Sequence, residues 1–258
     1  MGSFADNQLI QLLGCTFISK KRRKDVYHLN KLFPKNRPNQ YLSNIRRHYA
    51  DDFLNTSLKA LIESPFREAI KRVIIRTVNP PSVIEYRFIT EFASLECFLD
   101  YYKSINNYNL IINHNWPKFV KKIKHAIKNT PVDTTNDQRK NIYNKICELN
   151  RFPFSYIFNK FIEDRGIAVD DLWPVDSEST KNSLLNLRNK LVHGYILKDD
   201  YYDVLSIAEQ NLEWLIKRII LSFLQWDIEK SQIKLQSIEN RKEYSEWRNQ
   251  IAIDALFE

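Results

Sequence analysis

The sequence predicts an all-α fold: a helical bundle with an additional basic, mostly helical N-terminal region. Only four Gly and nine Pro occur in 258 residues, few for a chain that would have to turn between many short strands. Two long stretches carry apolar side chains at intervals of three and four. One runs through Ile84, Phe88, Phe92, Leu95, Leu99 and Tyr102, the other through Val204, Ala208, Leu212, Leu215, Ile219 and Phe223. A composition 43% apolar and 27% charged is that of a globular chain long enough for one large or two small domains.

Three regions are expected: 1–80, basic and mainly helical; 81–227, the bundle; and 228–258, a helical tail. Asn79-Pro80-Pro81-Ser82 marks the first boundary, because two prolines remove backbone donors and Ser82 can cap the following helix. Before it, 39–63 and 65–78 read as helices, the second with Phe66, Ile70, Val73 and Ile74 at helical spacing, while 8–35 fits helix or short strands. After it, helices are expected over 82–103, 116–128, 137–150 and 154–165, the last stopped by Gly166. The loops 129–136 and 170–179 are polar. A helix over 179–192 precedes a long one over 201–226, whose broad apolar face requires the bundle centre or a subunit contact. In the tail, Trp247, Ile251 and Leu256 are candidates for docking back.

No run approaches the eighteen apolar residues of a membrane span. Leu12-Leu13-Gly14-Cys15 mimics a lipoprotein cleavage box, but no Lys or Arg precedes it and Gln8 and Gln11 interrupt the apolar run. Cys15, Cys97 and Cys147 are odd in number and far apart, which implies neither a disulfide framework nor a zinc site. The expectation is a cytoplasmic protein with no membrane contact, no metal and no cofactor.

Charge is uneven. Residues 1–79 hold 15 Lys and Arg against 6 Asp and Glu, a net +9, and the remainder nets −1. Lys20, Lys21, Arg22, Arg23, Lys24, Arg46 and Arg47, interleaved with Tyr27, His28, Tyr41, His48 and Tyr49, form a pattern that would hold a phosphate backbone and stack unpaired bases. Any one of these residues read alone is a solvated surface charge.

The segment that suggests a chemistry is Arg188-Asn189-Lys190-Leu191-Val192-His193-Gly194-Tyr195. Arginine neutralises phosphate through a planar fork of donors, and histidine moves protons near neutral pH. Arg23 and His28 share the spacing but lack the flanking residues. Within a helix, Asn189 and His193 share a face, whereas Arg188 lies about 140° from His193. Gly194 would end the helix there.

Arg188, Asn189 and His193 resemble the R-x4-6-H signature of the HEPN family, helical domains of many RNA-cleaving toxins and phage-defence proteins, in which a polar residue follows the arginine. Tyr195 extends the likeness to the R-x4-H-x-Y form of toxins whose tyrosine is adenylylated by a nucleotidyltransferase antitoxin. The resemblance covers about residues 82–226. It implies a HEPN-like helical bundle, a homodimer whose two motifs build one composite cleft, and metal-independent cleavage of RNA to 2′,3′-cyclic phosphate ends. It further implies an antitoxin or defence-complex partner. His193 would be general acid or base, Arg188 would hold phosphate, Asn189 would position either, and Tyr195 would contact RNA or accept a modification. A polar residue of the 82–103 helix often faces the site in this family. Glu91, which falls inside the apolar arc of that helix, is the first candidate, and Glu96, outside the arc's centre, the second. The reading from another class is a catalytically silent helical module that binds RNA, a nucleotide or a protein partner. A metal-dependent nuclease is disfavoured, because the chain has no H-E-x-x-H and Asn113-His114-Asn115 alone is too common a pattern.

Overall fold

The computed structural model describes residues 14–19, 22–27, 45–78, 81–111, 114–130, 134–176, 183–198, 201–233 and 256. The fold is all-α, with one small exception at its N-terminal side. There, β1 (Gly14–Ser19) and β2 (Arg22–Tyr27) pair antiparallel with Ser19 opposite Arg22 and Gly14 opposite Tyr27. The N-terminal region is therefore not helical over this stretch. Thr16, Phe17, Ile18 and Val26 are β-branched or aromatic, and they decide between the two readings the sequence allowed.

Eight α-helices follow among the described residues: α1 (Ala50–Glu63), α2 (Arg67–Val78), α3 (Ile84–Asn106), α4 (Trp116–Asn129), α5 (Asn136–Lys145), α6 (Phe154–Arg165), α7 (Leu184–Val192) and α8 (Tyr202–Phe223). The expected 137–150 helix is split. α5 ends at Lys145, and Ile146–Asn150 tightens into a 3₁₀ turn. α7 begins at Leu184, where the Ser183 hydroxyl accepts from the Asn186 amide as a cap. α6 stops at Gly166, whose positive φ of 61° is the left-handed conformation that ends a helix. No helix among the described residues is long and apolar enough to cross a membrane.

The chain forms two compact units, 98–166 and the rest, so the division does not fall at 80/81 or 227/228. α1 and α2 belong with the larger unit for a packing reason. Phe53 meets Trp226 edge-on at 5.2 Å, Phe66 lies 4.4 Å from Phe223, and an isolated bridge pairs Ile45 with Ser231. Of the three tail residues expected to dock back, one is described. Leu256 is buried, and its carbonyl accepts from the Lys198 amide at 3.0 Å, while Trp247 and Ile251 lie outside the described residues.

The larger unit is organised on α8, of whose 22 residues 16 are buried. A helix covered all round must satisfy every polar side chain it carries. Asn211 accepts from the Trp173 amide at 3.1 Å and donates to the Ile207 carbonyl. Arg218 grips Asp171 through both ends of its fork, one bond being 2.6 Å, and also donates to the Ala168 carbonyl at 2.7 Å. In the smaller unit Phe98, Leu99, Tyr102, Ile157, Phe158 and Phe161 are buried, and Tyr102 meets Phe161 edge-on at 5.3 Å. Within it the Tyr102 hydroxyl donates to Asp164 and pairs with Tyr108 at 3.0 Å. The Asn150 amide clamps Ile111 through two bonds, accepting from its N–H and donating to its carbonyl.

Both Asp171 and Arg218 are buried, so removing one leaves the other charged and unpaired. Asp171→Ala should lower unfolding free energy by about 3 kcal/mol in urea titration, and Arg218→Met in the same background should recover part of it.

Candidate functional site

α7 places the motif. Its start is pinned to the preceding segment by two backbone bonds, Leu184 to the Pro174 carbonyl and Leu185 to the Val175 carbonyl, both 2.9 Å. Leu184 and Leu187 are buried in the larger unit, which fixes the rotation of the helix. Arg188 is then one residue round from Leu187, at the edge of the buried face. His193 falls about half a turn from Leu184, on the outer side, and is exposed.

Arg188 is held by three groups. One guanidinium nitrogen donates to Glu96 Oε1 at 3.0 Å, the other donates to Asn189 Oδ1 at 3.1 Å, and the guanidinium carbon sits 5.9 Å from the Phe92 ring centroid. The Arg188 and Glu96 side chains keep 29% and 36% of their exposure, so this tie is a half-open one. An ion pair with that much water contributes on the order of 0–1 kcal/mol, little enough for an incoming anion to compete. Arg188 and Asn189 are thus brought together, while no side-chain contact joins the exposed His193 to either.

The end of α7 has a complete backbone account. The Gly194 amide donates to the Leu191 carbonyl at 3.2 Å and the Tyr195 amide reaches back to the Lys190 carbonyl at 3.1 Å. This is a Schellman termination with Gly194 at φ 80° as its left-handed residue. Tyr195 is the residue that customarily closes this motif by side-chain contact, and Lys190 Nζ lies 5.2 Å over its ring. An L side chain in the left-handed region costs roughly 1 kcal/mol, so Gly194→Ala should lower stability by about that amount in urea titration.

Glu96, not Glu91, faces Arg188. The two are about 140° apart on α3: Glu91 falls inside its buried arc and Glu96 at the rim, next to the Phe92 ring that lies under Arg188. A position at the rim of the apolar arc lets a carboxylate reach a half-exposed partner, which a position inside the arc does not.

Glu91 lies instead in a buried ionic cluster. Arg87 Nε approaches Glu209 at 3.5 Å, Lys217 pairs with Glu213 at 2.6 Å, and Gln210 donates to Glu213 at 2.6 Å. Burial, reinforced by the charges of Glu209 and Glu213, pushes the Glu91 carboxyl well above the carboxylate range. Burial first and Glu213 second raise Glu209 from 4.5 to about 7. The sequence reading passed over Glu209, Glu213 and Lys217, although their i, i+4, i+8 spacing on a helix expected to be buried was the available signal.

Of the expected RNA-contacting cations, Arg22, Arg23 and Lys24 lie on β2 opposite Ser19, Ile18 and Phe17. Arg46 is half-exposed and Arg47 opens the 3₁₀ turn Arg47–Tyr49, whereas Lys20 and Lys21 lie outside the described residues. Among the described residues no group of three or more His, Cys, Asp or Glu is placed to hold a metal ion. Compared with family models, curated proteins and solved structures, the chain matches none.

Glu209 has its folded pKa raised, so the folded state binds the proton more tightly than the unfolded chain. Its contribution to stability is complete below 4.5 and is lost as pH rises through about 7. Glu209→Gln should therefore melt at a temperature that improves relative to wild type between pH 5 and pH 8, read by calorimetry. A constant offset over that range would contradict the buried-proton account.

Proposed function

We propose that the chain is a metal-independent endoribonuclease of HEPN type, cleaving RNA to 2′,3′-cyclic phosphate ends as a toxin or phage-defence effector. The observation that supports this reading best is the pairing of a half-exposed, carboxylate-oriented guanidinium with an exposed histidine at the end of the same nine-residue helix. Glu96 and Asn189 take one donor from each side of the Arg188 fork, leaving the remaining guanidinium N–H groups for a phosphate oxygen.

In the reaction, the 2′-hydroxyl loses its proton to a base and attacks the adjacent phosphorus. The P–O5′ bond breaks, and the leaving oxygen takes a proton from an acid. One imidazole cannot stand on both sides of the phosphorus at once. His193 fills one role, and His193 of the partner subunit, brought across a two-fold axis, fills the other. Arg188 stabilises charge developing on the non-bridging oxygens, and Asn189 keeps its fork oriented. The outward position of His193 suits a cleft shared between subunits. So do the exposed apolar side chains beside it, Val192, Tyr195 and Ile196, the last 74% exposed.

One observation favours the second reading, a catalytically silent helical module binding RNA, a nucleotide or a protein partner: the Schellman geometry accounts for Gly194 and Tyr195 without any chemistry. His193 separates the two readings, because an exposed side chain carries little stability. In EDTA, wild type should cleave a labelled mixed-sequence RNA to cyclic-phosphate ends. His193→Ala should lose at least about 100-fold in rate with an unchanged melting temperature and an unchanged dimer. A folded dimeric wild type that binds RNA without cutting it would establish the silent module. Arg188→Lys should lose rate as well, since an ammonium cannot bridge Glu96, Asn189 and phosphate with one planar fork.

A further inference from the structure

A second basic surface lies in the smaller unit and is invisible in the regional charge balance. Residues 101–132 contain six Lys and no Asp or Glu, and α4 alone carries Lys118, Lys121, Lys122, Lys124 and Lys128 together with His125. Turning at about 100° per residue, these six side chains span one broad face of the helix, and Trp116, Val120, Ile123 and Ile127 occupy the opposite one. The structure sorts them accordingly: all six basic positions are exposed, and the four apolar ones are half-buried. The Tyr143 hydroxyl of α5 donates to the Lys124 carbonyl, and Lys124 Nζ lies 5.7 Å over the Tyr143 ring, which fixes α4 against its neighbour.

Lysines one turn apart repel one another, and among the described residues none of the five has an ion-pair partner. Their like charges are therefore an uncompensated cost in the free protein that a polyanion would remove. Two polyanionic surfaces are open to a basic amphipathic helix. A bilayer would require the apolar face to sink into the acyl boundary, but here that face is half-covered by the protein itself. A nucleic-acid backbone requires only the lysines, spaced one turn apart on an exposed helix, to meet successive phosphates.

We infer that the lysine face of α4 binds the phosphate backbone of RNA without reading its sequence. The choice of RNA over another polyanion rests on the ribonuclease reading; the lysine face itself does not. The test uses the full chain and a fluorescein-labelled 2′-O-methyl RNA of mixed sequence, which carries the phosphates but no attacking hydroxyl, so that binding is read apart from cleavage. Anisotropy titrations over a range of KCl compare wild type with a variant carrying Lys118→Gln, Lys121→Gln, Lys122→Gln and Lys128→Gln. No residue of α4 is buried, so circular dichroism and melting temperature should be unchanged.

Each phosphate contact contributes about 0.7 to the slope of log affinity against log salt for a single strand, so the slope should fall by about 3 and affinity at low salt by at least tenfold. An unchanged slope, or no binding by wild type, overturns the inference. Vesicles of phosphatidylserine and phosphatidylcholine form a second arm. Vesicle binding that the four substitutions abolish, alongside unaltered RNA binding, would make α4 a membrane-surface helix instead. A lysine-dependent slope in a protein that never cuts RNA would leave this surface standing and remove the ribonuclease reading.

Discussion

Enclosure of α8 on every side is the constraint from which the rest of the larger unit follows. A helix that buries Glu209, Asn211, Lys217 and Arg218 along with its aliphatic residues cannot be surrounded by apolar neighbours alone. Three of the four reach neighbouring segments: Arg218 takes Asp171 and the Ala168 carbonyl, Asn211 takes the Trp173 amide, and Glu209 takes Arg87 of α3, while Lys217 pairs with Glu213 of α8 itself. The 168–173 segment is held to α8 at two points. It continues directly into Pro174 and Val175, whose carbonyls receive the first amides of α7. α3 is held to the same helix by the Arg87–Glu209 contact, and it carries Phe92 and Glu96 on to Arg188. Two routes from α8, one through a loop and one through a helix, thus converge on the same guanidinium.

That arrangement explains why an ion pair that is itself worth little can be well positioned. A half-exposed Arg–Glu contact gains on the order of 0–1 kcal/mol and would not by itself order two elements. The ordering comes from burial on the other faces of α3 and α7, through Phe88, Phe92, Leu95, Leu184 and Leu187, and the pair only records it. A guanidinium oriented at little energetic cost remains exchangeable, which a phosphate-binding group has to be. Its buried counterpart Arg218, which commits both ends of its fork to Asp171, is fixed and has no such use.

Much of the helical fold was legible because it rests on periodicity and on local termination chemistry. α6 and its stop at Gly166 follow from sequence alone, as do the existence of α3 and the need of α8 to be covered, in the bundle centre or at a subunit contact. What was not legible depends on averages or on long-range choice. A regional charge balance hid α4, because acids elsewhere in residues 80–258 cancel its lysines, although a window of one helix length isolates them. β1 and β2 fall in a stretch, 8–35, that fits helix or short strands, and what separates the two is the strand preference of Thr16, Phe17, Ile18 and Val26. Glu91 and Glu96 are distinguished by angle: Glu91, inside the apolar arc, is buried. A fully buried carboxylate is committed to whatever encloses it, here α8, and so is the less suitable of the two to serve a site at the surface.

Of the five motif residues Arg188, Asn189, His193, Gly194 and Tyr195, four have a local structural tie and one side chain has none. Gly194 is required by the backbone at φ 80°, Tyr195 covers Lys190 at the helix end, and Asn189 and Glu96 share out Arg188. His193 occupies the cap position between them, yet the termination uses only its backbone, donated to Asn189, and the exposed imidazole contributes nothing to it. The same bonds would form with most side chains at that position. The weight of the functional reading therefore falls on His193: it is the member of the motif that the fold does not ask for, and the one whose chemistry the proposed reaction cannot do without.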